Sequence, residues 1–178
     1  MKTLVSLLSI LIIIIISSTL FSQAGDEIEQ KDYYNPRDEY LLGIGPIIGG
    51  ISGGVGFELD YNLNPKVGIQ AGVGSGYYFE SIFLTSRYYL LPSKLSPFFS
   101  MGYALWRANN GIENLNNIKS IEKLDLGDGD FVNLIPLSLG IQYMSEGGIA
   151  AYVTFDYILS PGTTSGIPYG SAGFLWYF

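Results

Sequence analysis

The chain has 178 residues, 48% of them hydrophobic and only 14% charged, with a net charge of −7. The acidic balance argues against a nucleic-acid-binding protein, which needs a basic surface. Cysteine and histidine are both absent, which removes disulfides, thiolate chemistry, the commonest metal ligand and the commonest general base. We therefore expect one domain with no catalytic residues, no metal site and no cofactor.

The first 24 residues have the order of a secretory signal peptide. Lys2 precedes an apolar stretch over residues 4–16, and the small residues Ser22 and Ala24 follow. This order predicts export and cleavage after Ala24. A transmembrane helix is the alternative, because the uncharged stretch extends to Gly25, but its strongly apolar centre is short for a membrane span.

Residues 25–39 form an acidic segment with six acids and two bases. The segment shows little apolar periodicity, so we predict a solvated N-terminal tether. A role in docking a partner is the alternative, and no motif supports it.

From Tyr40 onward, apolar residues alternate with small or polar residues, which is typical of strands between two unlike environments. The pattern predicts eight strands of about ten residues each, the length at which a tilted strand crosses a bilayer. Their predicted bounds are 40–49, 54–63, 67–77, 81–90, 97–107, 131–143, 148–158 and 168–178. Ten strands are the alternative, with an additional hairpin within residues 107–130.

The predicted connections also alternate in length. Short turns at 62–66, 91–96 and 144–147 would lie at one end, which also carries both termini. The connections at the opposite end are 50–53, 78–80, 107–130 and 159–167, two of them long. Short turns at one end and longer loops at the other are typical of outer-membrane barrels.

The two faces of these strands differ in composition. One is apolar, and the other is rich in small and polar residues with almost no lysine, whereas a soluble barrel usually carries abundant surface charge. We therefore expect the apolar face to meet lipid, and a soluble lipocalin-like barrel is the alternative. Two aromatic belts are predicted. The short-turn belt holds Tyr61, Tyr88, Tyr89, Phe98, Phe99, Tyr143, Tyr177 and Phe178, and the opposite belt holds Tyr77, Tyr78, Trp106, Tyr157 and Tyr169.

The polar face supplies candidate residues for the interior. They are Glu58, Asp60, Gln70, Arg87, Gln142, Tyr152, Thr154 and Asp156. Arg87 is nearly alone among basic strand residues, so we predict a buried ion-pair network joining Arg87 to Glu58, Asp60 and Asp156. The network would hold the barrel closed or gate a narrow conduit. Inward glycines, such as Gly72, would leave a cavity or accept a bulky side chain such as Phe83 or Tyr152.

The C-terminal strand carries the most specific motif. Phe174, Trp176 and the final Phe178 share one face, and this resembles the C-terminal assembly signal of bacterial outer-membrane barrels. Residues 87–90 and 96–102 resemble a strand–turn–strand motif of the same proteins, although Leu90 and Phe98 stand where aromatic and tyrosine residues are typical.

The resemblance is to small barrels of the OmpX/OmpA transmembrane type and covers residues 40–178. It implies an all-β fold, an eight-stranded antiparallel up-and-down transmembrane barrel in the bacterial outer membrane with residues 25–39 in the periplasm. It also implies two partners, outer-membrane lipid and the barrel assembly machinery, the latter through the C-terminal strand.

The expected function is non-enzymatic, either structural or in surface interaction through the extracellular loops, with residues 107–130 contacting an extracellular partner. A narrow porin-like channel for ions or small solutes is the alternative. A secreted soluble barrel that carries an apolar ligand is a second alternative.

Overall fold

The computed structural model describes residues 34–77, 79–108, 131–161 and 166–178. The strands are β1 (Leu42–Gly49), β2 (Val55–Asn64), β3 (Val67–Ser75), β4 (Phe79–Tyr89), β5 (Leu95–Ala108), β6 (Phe131–Met144), β7 (Ile149–Leu159) and β8 (Gly166–Tyr177). Two 3₁₀ helices, Pro36–Asp38 and Gly50–Ser52, flank β1. Neither helix is long and apolar enough to cross a membrane. The predicted signal peptide, residues 25–33 of the predicted tether, and residues 109–130 lie outside these ranges.

The eight strands close into an antiparallel up-and-down barrel. Each strand pairs with its neighbours in sequence, and β1 pairs with β8. The predicted eight-stranded fold is confirmed. The ten-strand alternative is wrong, because β5 pairs directly with β6 along the whole wall.

The two ends of the barrel differ as predicted. The connections β2–β3, β4–β5 and β6–β7 are short, and with both ends of the described chain they form the short-turn end. The connections β1–β2, β3–β4, β5–β6 and β7–β8 form the opposite end, here called the long-loop end. The register is regular except for an irregularity at Asn62 to Asn64 beside the first short turn.

The strand faces point as the alternation predicts. Val55, Phe57 and Leu59 on β2 are exposed on the outside, while Glu58 and Asp60, at the alternate positions, are buried inside. The same alternation runs along β4 and β7. An apolar wall around a polar interior is the arrangement of a transmembrane barrel. The soluble-carrier alternative is therefore wrong, since a soluble barrel turns the apolar faces of its strands inward, and here those faces lie on the outside.

The predicted aromatic belts are only partly correct. Five residues of the short-turn belt are exposed on the outer wall: Tyr61, Tyr88, Phe99, Tyr143 and Phe178. Tyr89, Phe98, Tyr177 and Trp106 are instead at most 2% exposed and point into the barrel. At the long-loop end Tyr77 and Tyr157 are exposed and Tyr169 is half-buried, whereas Tyr78 lies outside the described ranges. The prediction failed because successive residues of a strand point to opposite faces, so that of the neighbours Tyr88 and Tyr89 only Tyr88 lies on the outer wall.

The seam between β1 and β8 closes the barrel and approaches closely at Gly45. Ile44 lies opposite Trp176 and Ile47 lies opposite Gly173, and Pro46, between them, has no backbone N–H to donate. A Cβ added to Gly45 would overlap the carbonyl oxygen of Phe174. Glycine is therefore required here by space.

We expect Gly45→Ala to destabilise the closed barrel by about 1–3 kcal/mol, because a methyl group must push β1 away from β8. The measurement is the urea dependence of the gel mobility of unheated protein. Gly170→Ala on β8 is the matched control, since its added Cβ would lie 3.7 Å from the Thr154 carbonyl oxygen, an ordinary contact. Equal stability of the two variants would contradict this account of the seam.

Candidate functional site

The polar interior of the barrel is the candidate site, and strand register assembles it. Asp60 on β2 lies opposite Gln70 on β3, which lies opposite Thr85 on β4. These three positions face inward because they share the parity of the buried residues on their strands. The wall of apolar outward residues shields them from lipid.

Arg87 is held by one carboxylate and two aromatic rings. Its Nη1 donates to Oδ2 of Asp60 at 2.9 Å, and both side chains are almost fully buried. The guanidinium carbon lies 4.2 Å from the ring centroid of Tyr152 and 5.0 Å from that of Phe98. A charge buried this deeply is stable only with such compensation.

Glu58 reaches Arg87 through other side chains. It accepts hydrogen bonds from the Tyr152 hydroxyl at 2.6 and 2.8 Å and from Nε2 of Gln70. Oε1 of Gln70 in turn accepts from the Thr85 hydroxyl at 2.9 Å. The Tyr152 ring that lies beside Arg87 therefore connects the two charged residues.

Asp156 belongs to a separate cluster of hydroxyls near the long-loop end. It accepts a hydrogen bond from Ser171, whose hydroxyl lies 2.6 Å from that of Thr154. Among the described residues, Arg87 forms its ion pair with Asp60 and not with Asp156 or Glu58. The structure thus places all four predicted network residues in the interior, pairs two directly, links Glu58 through Tyr152, and leaves Asp156 with Ser171.

Aromatic rings fill much of the remaining space by packing over glycines. A Cβ added to Gly72, Gly140 or Gly173 would collide with the ring of Phe83, Phe98 or Tyr152 respectively. A cavity of about 10 Å³ is left among Arg87, Gln70, Asp156 and their neighbours. This is about the size of a single water molecule and far below that of an aqueous channel.

The segment Gly49–Gly54 folds into the barrel from the long-loop end. Ile51 lines the cavity and Ser52 is fully buried. The Ile51 carbonyl accepts a hydrogen bond from Nε1 of Trp106 at 3.0 Å, and the Ser52 carbonyl accepts one from Ser81 at 2.9 Å. Gly49, Gly50 and Gly53 have φ values of 80°, 50° and 72°, a conformation that favours glycine.

The side chain of Arg37 enters the barrel at its short-turn end. It lies in the last part of the predicted tether, yet its side chain is fully buried. Its guanidinium carbon lies 4.0 Å from the centroid of the Tyr89 ring, and its Nη1 donates to the Ser93 carbonyl at 2.8 Å. Asn35, Pro36 and Arg37 are therefore packed against the barrel, while Tyr34, Asp38 and Glu39 of the same segment are exposed.

Sequence reasoning missed Arg37 because the acidic composition around it is typical of a solvated segment. Two signals pointed the other way. Asn35-Pro36 is a helix-starting pair, and the Asn35 side chain accepts from the backbone N–H of Arg37 at 3.2 Å. The predicted interior also held three acids and one base, an imbalance that a second arginine reduces.

The chemistry available in this interior is limited to holding charge and excluding solvent. Glu58, Asp60 and Asp156 are at most 2% exposed, and each has a partner within the barrel. Within the ranges that the structure covers, no three side chains of the acidic, histidine or cysteine type come together to hold a metal ion.

Comparison with known proteins identifies the fold. No protein-family model and no curated protein sequence matches the chain. The crystal structure of the N-terminal β-barrel domain of Pseudomonas aeruginosa OprF matches with a TM-score of 0.56 and 16% identity, covering 77% of this chain and 96% of that one.

Two further solved structures are similar to the chain at lower TM-scores. The Yersinia pestis outer-membrane protein Ail matches with a TM-score of 0.47 and 11% identity over 78% of this chain and 99% of that one. Neisserial surface protein A matches with a TM-score of 0.42 and 16% identity over 77% and 94%. The chain has the fold of the eight-stranded outer-membrane barrels, so the resemblance drawn from its C-terminal strand is confirmed for the fold.

We expect Arg87→Met to destabilise the barrel by about 3–5 kcal/mol, because it leaves the Asp60 carboxylate buried without a counter-charge. The double variant Arg87→Met/Asp60→Leu should lose less than the sum of the two single variants. Urea unfolding followed by gel mobility measures all three. Lys66→Met, in an exposed turn, is the control and should stay within about 0.5 kcal/mol of the wild type. Additive losses would contradict a coupled pair.

Outside the membrane-spanning strands, the hydroxyl of Tyr34 donates to Oε2 of Glu39 at 2.8 Å, and this bond raises the pKa of Tyr34 to about 12. Since the folded-state pKa lies above the ordinary value of 10.0, the bond's contribution to stability is complete below pH 10 and is lost as pH rises through about 12. A tyrosinate absorbance titration of wild type minus Tyr34→Phe should show this late step. In Glu39→Gln the step should move toward pH 10, and a wild-type step near pH 10 would contradict the assignment.

Proposed function

We propose that the protein is an integral barrel of the bacterial outer membrane, non-enzymatic, with a structural role in the envelope or a role in surface interaction through its long-loop end. The observation that carries this proposal is that the lumen is occupied from both ends by the chain itself, through Ile51 and Arg37. A filled lumen leaves the wall and the loops as the surfaces available for function.

The outer wall supports the membrane assignment. Apolar side chains on several strands are more than half exposed, among them Val73 on β3, Leu139 on β6 and Val153 on β7. A bilayer would cover them. In that setting the short-turn end faces the periplasm and the long-loop end faces the outside. Phe174, Trp176 and Phe178 also lie on the outer face, where assembly machinery could engage the last strand.

The non-enzymatic assignment follows from the residues present. The reaction classes that use a histidine beside serine or aspartate are excluded by a sequence with no histidine. The buried carboxylates of Asp60, Glu58 and Asp156 are engaged by Arg87, Tyr152 and Ser171 respectively. The loop within residues 107–130 is the longest connection, and long exposed loops on a rigid scaffold commonly carry binding function.

The channel alternative would require movement at both ends. Ions could pass only if the segment Gly49–Gly54 left the lumen and Arg37 left the Tyr89 ring. The internal path would still cross the Arg87–Asp60 ion pair. These obstacles favour a barrel that acts through its surfaces.

The test replaces residues 109–130 with a short Gly-Ser linker. We expect the wild type and the loop-replaced variant both to fractionate with the outer membrane and to shift in gel mobility on boiling, because β5 and β6 pair directly without the loop. Both should be silent in planar lipid bilayers. Expressing cells should lose adhesion to immobilised matrix proteins only when the loop is replaced, and unchanged adhesion would locate binding elsewhere.

Conductance steps in the wild type would support the channel instead. In that case Arg87→Ala should alter their size, because Arg87 lies across the path. Recovery of the wild type in the soluble fraction would contradict the membrane assignment altogether.

A further inference from the structure

We propose that the short-turn mouth of the barrel is a guanidinium-binding site, which Arg37 fills in cis and which thereby holds the segment Tyr34–Tyr40 across the mouth. The ligand class is an alkylguanidinium, the side chain of arginine. This proposal is independent of the function of the loops.

The walls of the site match a guanidinium and not merely a positive charge. The guanidinium carbon lies over the Tyr89 ring, 4.0 Å from its centroid, and Nη1 donates to the Ser93 carbonyl at 2.8 Å. A planar cation can stack and donate in its plane at the same time, whereas an ammonium group cannot. Tyr89 in turn packs on Phe98 with ring centroids 5.7 Å apart, so the stacking surface is itself fixed.

The site also supplies negative charge and further acceptors. Asp60 lies within electrostatic range of Arg37 as well as of Arg87. Oδ1 of Asp60 and Oδ1 of Asn62 both lie over Gly68, and within the described residues Oδ1 of Asn62 accepts no hydrogen bond. Nε and Nη2 of Arg37 are likewise buried donors with no partner among those residues. The mouth thus holds a negative charge and an unpaired acceptor, the groups that bind a guanidinium, beside the unpaired donors of Arg37.

The backbone of the segment is attached independently of the guanidinium. Asn62 donates through Nδ2 to the Tyr40 carbonyl at 2.8 Å, and the Tyr40 hydroxyl donates to the Glu146 carbonyl at 2.8 Å. With Ser93, these contacts reach residues at or beside all three short turns. Arg37 is therefore the part of the segment that enters the lumen. Shortening its side chain should open a space while the segment stays attached at Tyr40.

The experiment asks whether a small molecule can refill that space. Arg37→Ala removes the equivalent of N-ethylguanidinium. The full exported chain, folded in detergent micelles and checked by its heat-dependent gel mobility, is titrated with N-ethylguanidinium while the NMR signals of the Tyr89 ring are followed. Propylammonium is the matched ligand of equal charge, and Asp38→Ala, at the exposed neighbouring position, is the matched variant.

We expect a saturable shift of the Tyr89 signals in Arg37→Ala and none in the wild type or in Asp38→Ala, where Arg37 already fills the site. Propylammonium should bind about tenfold more weakly, because it lacks the planar fork. Adding Tyr89→Leu to Arg37→Ala, followed by the signals of Ser93, should lower the affinity for N-ethylguanidinium by about tenfold. Equal binding of the two cations, equal shifts in the wild type, or the absence of saturable binding would overturn the proposal.

A second measurement applies if Arg37→Ala does not fold. In the wild type, the Nε–H proton of Arg37 should exchange with solvent more slowly than that of free arginine, because the group is enclosed at the mouth. Arg37→Lys should fold and lose the upfield ring-current shift of the side chain that stacking on Tyr89 produces. Exchange as fast as in free arginine would overturn the proposal without any variant.

Discussion

The closed hydrogen-bond ladder of eight strands is the constraint on which the rest of this structure depends. A barrel wall in a bilayer can leave no open edge, because lipid offers no partner to backbone N–H and C=O groups. Closure with eight strands fixes a narrow interior. Every inward side chain must then be accommodated by neighbours across a small distance, and this requirement decides where glycine, aromatic and charged residues occur.

The interior meets that requirement by pairing large side chains with glycines and positive charges with negative ones. Large rings lie over glycines on other strands, as Phe83 does over Gly72 and Tyr152 does over Gly173. Charges are treated in the same way, with Asp60 against Arg87 and Tyr152 serving both Arg87 and Glu58. Size and charge are therefore balanced between inward side chains of different strands, so a change at one position affects its partner on another strand.

Much of this fold was predictable, because period-two alternation determines both the strands and their faces. The inward position of Arg87 was predicted by placing it among the polar interior residues, and the exposure of Phe174, Trp176 and Phe178 by their shared apolar face. The partners within the interior were not predictable, because alternation shows which side chains point inward but not which of them meet. Asp156, for example, bonds to Ser171 on the neighbouring strand β8 and not to Arg87. The inward turn of Trp106 and the entry of Arg37 were missed because composition describes a segment's average and not the direction of one side chain.

The contacts of Arg37 and Tyr40 also indicate when their segment docks during folding. The Ser93 carbonyl that it reaches lies 56 residues away in sequence, in the turn between β4 and β5, and the Glu146 carbonyl that holds Tyr40 is 106 residues away. Neither acceptor is in place until those two hairpins have formed and curved together. Contacts across such long separations form late in folding. The beginning of the described chain can therefore make these contacts only after the β4–β5 and β6–β7 hairpins have formed.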